Sequence, residues 1–542
     1  MRYRIRQTLD KLFTVLTAAS VCLMILVLIG VLGPMLGKGA TAVLFKSTVE
    51  FRRMQYDLHG RGSQANIDKQ VLESNQCKQF VYDRLDSFAK GISVETFVDE
   101  AKNIYRDYGK DLRHNEVQGQ DLSDRRGFVR RVRDDLEKAF KSTDKAEAMA
   151  LLDGLEQYKD DQMIVGTEVE KFFTLATEYR AILEHFDLSR REEYSAELSE
   201  LQLLVLKLFG PRADDQVPAM VMDRYGATRV DLAEQLYNDI IWKKVWVQPA
   251  DPTMPLVQEK VLRQESFAGT EAAEIFPYLE ENFEKIMMPR PTFYWQYFFD
   301  DSVAGHYFGG VGPEIFGTLI LTLIAMLFVF PLGVISAAYL VECASENLVV
   351  RIIRMCINTL AGVPSIVFGL FGLAFFVLFL FPTMGLESKP CILSASLTLA
   401  VLTLPVMIRA SEEAIRSVPQ AYKEASLGLG ASQFTTFVKV TLPAAMPGIL
   451  TGVILSLSRV AGETAPILFT GAVAFGAMPR SLFSQTRTLS YGSYDLAVGD
   501  RIGMLVPHNQ YGMVVTLVLL IICLNAIAIY FRARIFRRLK GH

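Results

Sequence analysis

The sequence predicts an α-helical polytopic membrane protein: six transmembrane helices, with a helix-rich α+β extracytoplasmic domain inserted after the first. Three observations predict it. The mean hydropathy is +0.24 although 21% of the 542 residues are charged. The charge is segregated. Residues 37–311 hold 36 Lys+Arg against 48 Asp+Glu, a net of −12, and the rest of the chain carries +9. The apolar remainder falls into runs long enough to cross a bilayer, which needs about 20 residues in a helix.

The first run, residues 12–36, "LFTVLTAASVCLMILVLIGVLGPML", has no charge. A signal peptide has an apolar core of about 7–15 residues before a small-residue cleavage site. This run is longer, and its "AAS" at 18–20 comes too early, so a retained anchor is expected. Charge-free runs follow at about 315–341, 357–386, 390–408 and 511–531, and 444–473 is apolar apart from Arg459 and Glu463.

Lys and Arg mark the cytoplasmic side of such spans. "MRYRIR" precedes the first run and "RARIFRRLKGH" follows the last. Both termini are therefore expected in the cytoplasm, which requires an even number of spans. The loop with Arg351 and Arg354 and the loop with Arg409, Arg416, Lys423 and Lys439 then fall inside, and 37–311 falls outside. The expected divisions are an anchor at 1–36, a periplasmic domain at 37–311, a transmembrane domain at 312–535 with an inner loop at 409–443, and a tail at 536–542.

Within 37–311, stretches such as "RRVRDDLEKAFKSTDKAEAMALLDGLEQY" and "YSAELSELQLLVLKLFG" have helical periodicity, and "DIIWKKVWVQPAD" reads as strand. The aromatic, Gly-rich end, "FPYLEENFEKIMMPRPTFYWQYFFDDSVAGHYFGG", suits a membrane interface. The charge runs at 124–135 and 190–200 read as solvated faces. Of six cysteines only Cys77 lies in this domain, which excludes an internal disulfide. No Cys/His cluster has metal-ligand spacing. "GPMLGKG", 33–39, is one residue short of a phosphate-binding loop and has Gly39 where Ser or Thr is needed; it reads as a helix end. No catalytic residue, cofactor or metal is implied.

The inner loop carries the specific motif. "EASLGLGASQFTTFVKVTLP", residues 424–443, resembles the EAA motif of ABC importer permeases. Glu424, Ala425, Gly430, Leu442 and Pro443 match position by position; Ser426 replaces the second Ala, and Val440 stands where Ile is usual. Physically, a short helix starts at the Pro419 turn, Gly428 and Gly430 end it through left-handed conformations, and Pro443 starts the next span. The alternative is a solvated amphipathic connector.

"LAGVPSIVFGLFGL" (360–373), "LPVMIRASEEAIRSVP" (404–419) and "SRVAGETAPILFTGA" (458–472) extend the resemblance to the PstA-type permeases of phosphate-specific ABC importers, over about 312–535. The large outer insert is the main departure from the compact form. The resemblance implies a type I permease core that moves inorganic phosphate across the inner membrane. Its implied partners are a sister permease forming a heterodimer, an ATP-binding subunit dimer in contact with the inner loop, and a periplasmic phosphate-binding protein. No nucleic acid is implied, and ATP hydrolysis belongs to the partner. Another oxyanion, molybdate or sulfate, is the rival cargo, and a membrane sensor the rival class.

Arg459 and Glu463 stand where charge is costly, and such residues tend to face a bundle interior or a water-filled path. They are four apart, but Gly462 and Pro466 argue against a regular helix there. A planar guanidinium suits phosphate oxygens, Glu463 can accept a hydrogen bond from P–OH, and Thr464 adds a hydroxyl. These three are the expected translocation residues; the alternative is an ion pair that only fixes packing. Pro364 marks a second irregular point, with Ser365 read as core packing and Arg409 as a snorkelling anchor.

Overall fold

The computed structural model describes residues 2–114, 120–159, 161, 164–184, 186, 188–210, 212, 226–248, 255–303, 306, 308–345, 347–476, 478–499 and 507–539. The tail residues 540–542, and 304, 305 and 307 of the aromatic segment, lie outside that set. The chain forms two compact units, one of Met1–Phe45 with Thr292–His542, the other of Lys46–Pro291.

Among its described residues, the first unit holds six helices long and apolar enough to cross a membrane: Lys11–Ala40, Gly312–Cys343, Ser365–Thr383, Ile392–Arg416, Gln433–Gly462 and His508–Arg537. The first runs through "GPMLGKG" to Ala40, and Lys38 Nζ lies 5.0 Å from the Tyr511 ring centroid. Three boundaries differ most from the hydropathy reading, and one is the fourth span, which continues to Arg416 rather than ending at 408. The run from 357 is broken, because a separate helix, Leu348–Leu360, ends in a turn at Ala361–Val363 and Pro364 caps the next helix at Ser365. The fifth span is shifted back: it starts at Gln433 and ends at Gly462 rather than running to 473. A π-helical stretch, Phe437–Thr441, keeps the inner loop's end continuous with the span, so Pro443 lies inside the first turn of a continuing helix rather than at a break.

The centre of this unit is built by Gly312–Ala338, Ile392–Arg416 and Leu442–Gly462. Their buried side chains include Val329, Val334, Met407, Ile415 and Ile449. A Cβ on Gly448 would stand 2.7 Å from the Ala414 Cβ, and one on Gly452 2.6 Å from the Ala410 Cβ. The two helices thus meet backbone to backbone across small residues, the usual device where lipid leaves no hydrophobic force between helices.

The second unit is helical, with long helices at Gln64–Ile92, Val94–His114, Gln120–Lys141 and Arg191–Phe209. Its core is aromatic: Phe88 packs edge-on against Tyr194 and Phe267, and Phe140 against Tyr179. The strand expected in "DIIWKKVWVQPAD" is Trp242–Val247, paired antiparallel with Val257–Leu262. Buried cations of this unit are paired among its described residues. Lys78 Nζ lies 2.8 Å from Glu50 Oε1, and Arg263, 2% exposed, meets Glu197 at 3.1 Å and Glu200 at 2.8 Å.

A core of its own predicts that residues 46–291 fold when expressed alone, giving soluble protein with a helical circular-dichroism spectrum and cooperative unfolding. Removing one partner of a buried pair strands the other and costs about 3–5 kcal/mol. Glu50→Ala, which leaves the buried Lys78 ammonium with the Phe209 carbonyl alone, should therefore lower the unfolding free energy of that fragment by this amount, read from urea titrations. A loss below about 1 kcal/mol, the scale of an exposed pair, would mean that Lys78 is satisfied without Glu50.

Candidate functional site

The fifth span stops where its charged pair begins. The helix ends at Gly462, Glu463 is extended (φ −74°, ψ 132°), and a new short helix, Ala465–Thr470, starts with Pro466 in its first turn. Gly ends a helix cheaply, and Pro cannot donate to the preceding turn but suits the start of another. Ser490 Oγ donates to the freed Glu463 carbonyl at 3.2 Å, and Leu468 N donates to the Thr464 carbonyl at 3.1 Å. Non-helical backbone at membrane depth is tolerated where it is buried in protein or lines a water-filled cavity.

Across this break, Arg459 Nε lies 3.5 Å from Glu463 Oε1, with the two side chains 36% and 18% exposed. The contact is an ion pair without hydrogen-bond geometry, and Arg459 Nε has no hydrogen-bond partner among the described residues. Thr464 sits beside them, half-buried. The group offers an unspent guanidinium donor, a carboxylate acceptor and a hydroxyl, which together can hold a protonated oxyanion.

The inner loop forms a second cluster. The helix Gln420–Gly428 follows Pro419 and buries none of its residues, so Glu424 and Ala425 are exposed. Gly430 is left-handed at φ +83°. Gly428 is not left-handed, contrary to expectation: it is the last residue of the helix, and the turn needs only one such position. Ser432 caps the next turn by accepting from Thr435 N, and Ser426 Oγ and Thr436 Oγ1 lie 2.9 Å apart, folding the loop on itself. Lys423 Nζ meets Glu342 Oε1 at 2.6 Å and ties the loop to the end of the second span. The folded loop presents Leu429, Phe434 and Tyr422, all exposed, while Leu442 and Pro443 are half-buried at the start of the next helix. Arg409 Nε donates to Asn358 Oδ1 at 2.6 Å, and Ser365 is half-buried at the first turn of its helix.

Sequence reasoning missed a third polar group. Glu314 (1% exposed) lies 3.5 Å from Arg487, which also meets Asp301 at 2.5 Å and donates to Ser302 Oγ at 3.1 Å. His306 is buried beside them; its carbonyl accepts from Asn509 Nδ2, and neither ring nitrogen has a partner among the described residues. Burial, reinforced by the Arg487 charge and opposed by Asp301, pushes the His306 imidazole down to about 4. A base whose folded pKa is depressed is stabilised as the neutral form. Its contribution is full above the unfolded value near 6.5 and is lost as pH falls toward 4, about 3 kcal/mol in all. His306→Asn keeps a residue that tolerates the positive φ of 56°. In detergent, the variant's melting temperature should fall less between pH 7 and 4.5 than that of the unaltered protein. Parallel falls would mean that His306 is not the titrating group.

A polar contact within the spans was also unforeseen: Asn525 Nδ2 donates to Ser458 Oγ at 2.9 Å, one residue before Arg459. A lone Asn in an apolar run, 67 residues away in sequence, gives no sign of its partner.

Residues 329–541 match the family described as "Binding-protein-dependent transport system inner membrane component". The chain is 42% identical over 34% of its length to "Probable ABC transporter permease protein YqgI" of Bacillus subtilis, covering 59% of that protein. It is 38% identical over 32% of its length to "Phosphate transport system permease protein PstA 1" of Mycobacterium tuberculosis, covering 55% of it. It is 33% identical over 46% of its length to "Phosphate transport system permease protein PstA" of Mycobacterium leprae, covering 79% of it. The chain thus spans little more than half the length of the first two relatives and most of the third.

Proposed function

This chain belongs to the family of binding-protein-dependent transport system inner membrane components, on its likeness to the PstA permeases, and we propose that it is a permease subunit carrying inorganic phosphate inward in an ATP-driven importer. The observation that carries the reading is the broken fifth span, with an unspent arginine donor, a carboxylate and a hydroxyl at one helix interruption. The names of the relatives favour phosphate as cargo.

In this reading Arg459 takes two phosphate oxygens through its planar fork. Glu463 accepts from the P–OH that phosphate keeps at neutral pH and sulfate lacks, and Thr464 adds a hydrogen bond. The chain itself hydrolyses nothing. Energy arrives through the loop of Glu424, Ala425 and Gly430, which docks on an ATP-binding subunit dimer, with Leu442 and Pro443 joining it to the fifth span. A sister permease completes the path and a periplasmic phosphate-binding protein delivers the cargo. The termini and the loop then lie in the cytoplasm, and residues 37–311 in the periplasm.

The test is uptake of labelled phosphate by cells that depend on this chain, with unlabelled phosphate, sulfate and molybdate as competitors. Phosphate alone should compete. Competition by molybdate or sulfate at equal concentration would transfer the assignment to that anion, and absence of uptake together with no copurifying ATPase would remove the transport reading.

A further inference from the structure

Among the described residues, the hairpin of Trp242–Val247 and Val257–Leu262 has no third strand on either side. Its base is fixed. The first strand continues directly from the helix Val230–Ile241, and the second leads directly into the helix Arg263–Ser266. Lys243 and Arg263 both bind Glu197 there. Beyond the base, Lys244, Trp246, Val247 and all of Leu256–Lys260 are exposed. A strand of six residues reaches about 20 Å at the usual rise of 3.2–3.4 Å per residue. A two-stranded ribbon is marginal in water, and exposed apolar strand edges are a liability that proteins cover. Trp246 is 62% exposed and Val257 50%.

Side chains alternate, so Trp242, Lys244 and Trp246 share one face with their opposite numbers Leu262, Lys260 and Gln258. Lys244 stands directly across from Lys260. Like charges in that position repel, and neither lysine meets a carboxylate among the described residues. The surrounding sequence, 37–311, has a net charge of −12, yet no described carboxylate of the domain pairs with either lysine. Two unpaired lysines bracketed by two indoles on one exposed face need an anionic partner with an apolar layer beneath it. A phospholipid surface is both: its phosphates attract Lys, and its headgroup level accommodates Trp. The domain is tethered at both ends of its sequence to segments long and apolar enough to cross a bilayer.

We propose that this hairpin face docks on an anionic phospholipid surface, with Lys244 and Lys260 on headgroup phosphates and Trp242 and Trp246 at headgroup level. The inference is independent of the cargo.

The chain has three Trp, so Trp295→Phe leaves only the two hairpin indoles to report. The full chain carrying that change is placed in nanodiscs of phosphatidylcholine alone or mixed with phosphatidylglycerol, with brominated lipids as quenchers. In anionic discs the emission should shift to the blue and be quenched; in neutral discs it should stay red. Salt at 1 M, where screening acts within about 3 Å, should reverse the shift. Lys244→Gln with Lys260→Gln should lower the ratio of docked to free hairpin by roughly 30-fold, about fivefold for each lysine near a charged surface. Equal quenching in both lipids, or quenching unchanged by salt and by the double substitution, overturns the proposal. So does a blue-shifted emission in lipid-free detergent, which would mean that protein covers the hairpin, or a shift produced by inorganic phosphate alone.

Discussion

Replacing Arg459 with Gln is expected to abolish phosphate uptake while leaving the protein in the membrane. Because the fifth span stops at Gly462, Arg459 lies in its last turn, and it keeps an unspent Nε donor 3.5 Å from Glu463. If it takes two phosphate oxygens, two charge-assisted hydrogen bonds are lost on substitution. At about 1.5–3 kcal/mol each, with 1.36 kcal/mol per tenfold in rate, uptake falls by roughly 100- to 10,000-fold. Lys restores charge without the planar fork and should recover only part of this. The competing account makes Arg459 and Glu463 mutual neutralisers. On that account each single change leaves an unpaired charge and destabilises the protein, whereas Arg459→Gln with Glu463→Gln restores both level and uptake. On the transport account the double variant is inserted, stable and inactive. Immunoblots of membranes beside uptake assays separate the two, and recovered uptake in the double variant would remove these residues from the path.

How much of this was legible in the sequence differs from element to element. The spans were readable because a bilayer imposes length and apolarity on consecutive residues, and consecutive residues are what a sequence displays. Their ends were less so. Hydropathy ran the third span back to 357, into the end of the helix Leu348–Leu360, since the turn at Ala361–Val363 is as apolar as the helices it joins. It also carried the fifth span past Gly462, although Gly462 and Pro466 signalled the irregularity. The third polar group was out of reach. Glu314 reads as a boundary charge and Arg487 as a loop cation, 173 positions apart; only the packing of Gly312–Ala338 against the later segments brings them to 3.5 Å. The hairpin strand was visible in its Lys, Trp and Val pattern, but the register that sets Lys244 against Lys260 depends on residues of both strands together.

Gly430→Val is expected to uncouple the transporter, with ATPase stimulation and uptake both lost from a protein that still inserts. The reason is confined to the backbone. Gly430 has φ +83°, yet a Cβ built there meets nothing within 4 Å. Packing therefore imposes no demand for glycine, and the turn imposes all of it. A β-branched side chain in the left-handed region is strained by about 1–3 kcal/mol, which the exposed loop relieves by refolding. The positions of Glu424 and of the exposed Leu429 and Phe434 then change relative to Leu442 and the fifth span. A shift of that size in a two-state equilibrium predicts a fall of roughly 5- to 150-fold in coupled transport. Two controls isolate the cause. Asn tolerates the left-handed region, so Gly430→Asn should keep most of the uptake. Gly428 also has open space around it but is helical, so Gly428→Ala should leave uptake unchanged or slightly raised through better helix propensity. If Val and Asn at 430 behave alike, the left-handed turn is not what couples the loop. If Gly428→Ala is as damaging as Gly430→Val, the loop is recognised through its glycines' lack of side chains, and the partner's surface must fit closely against both.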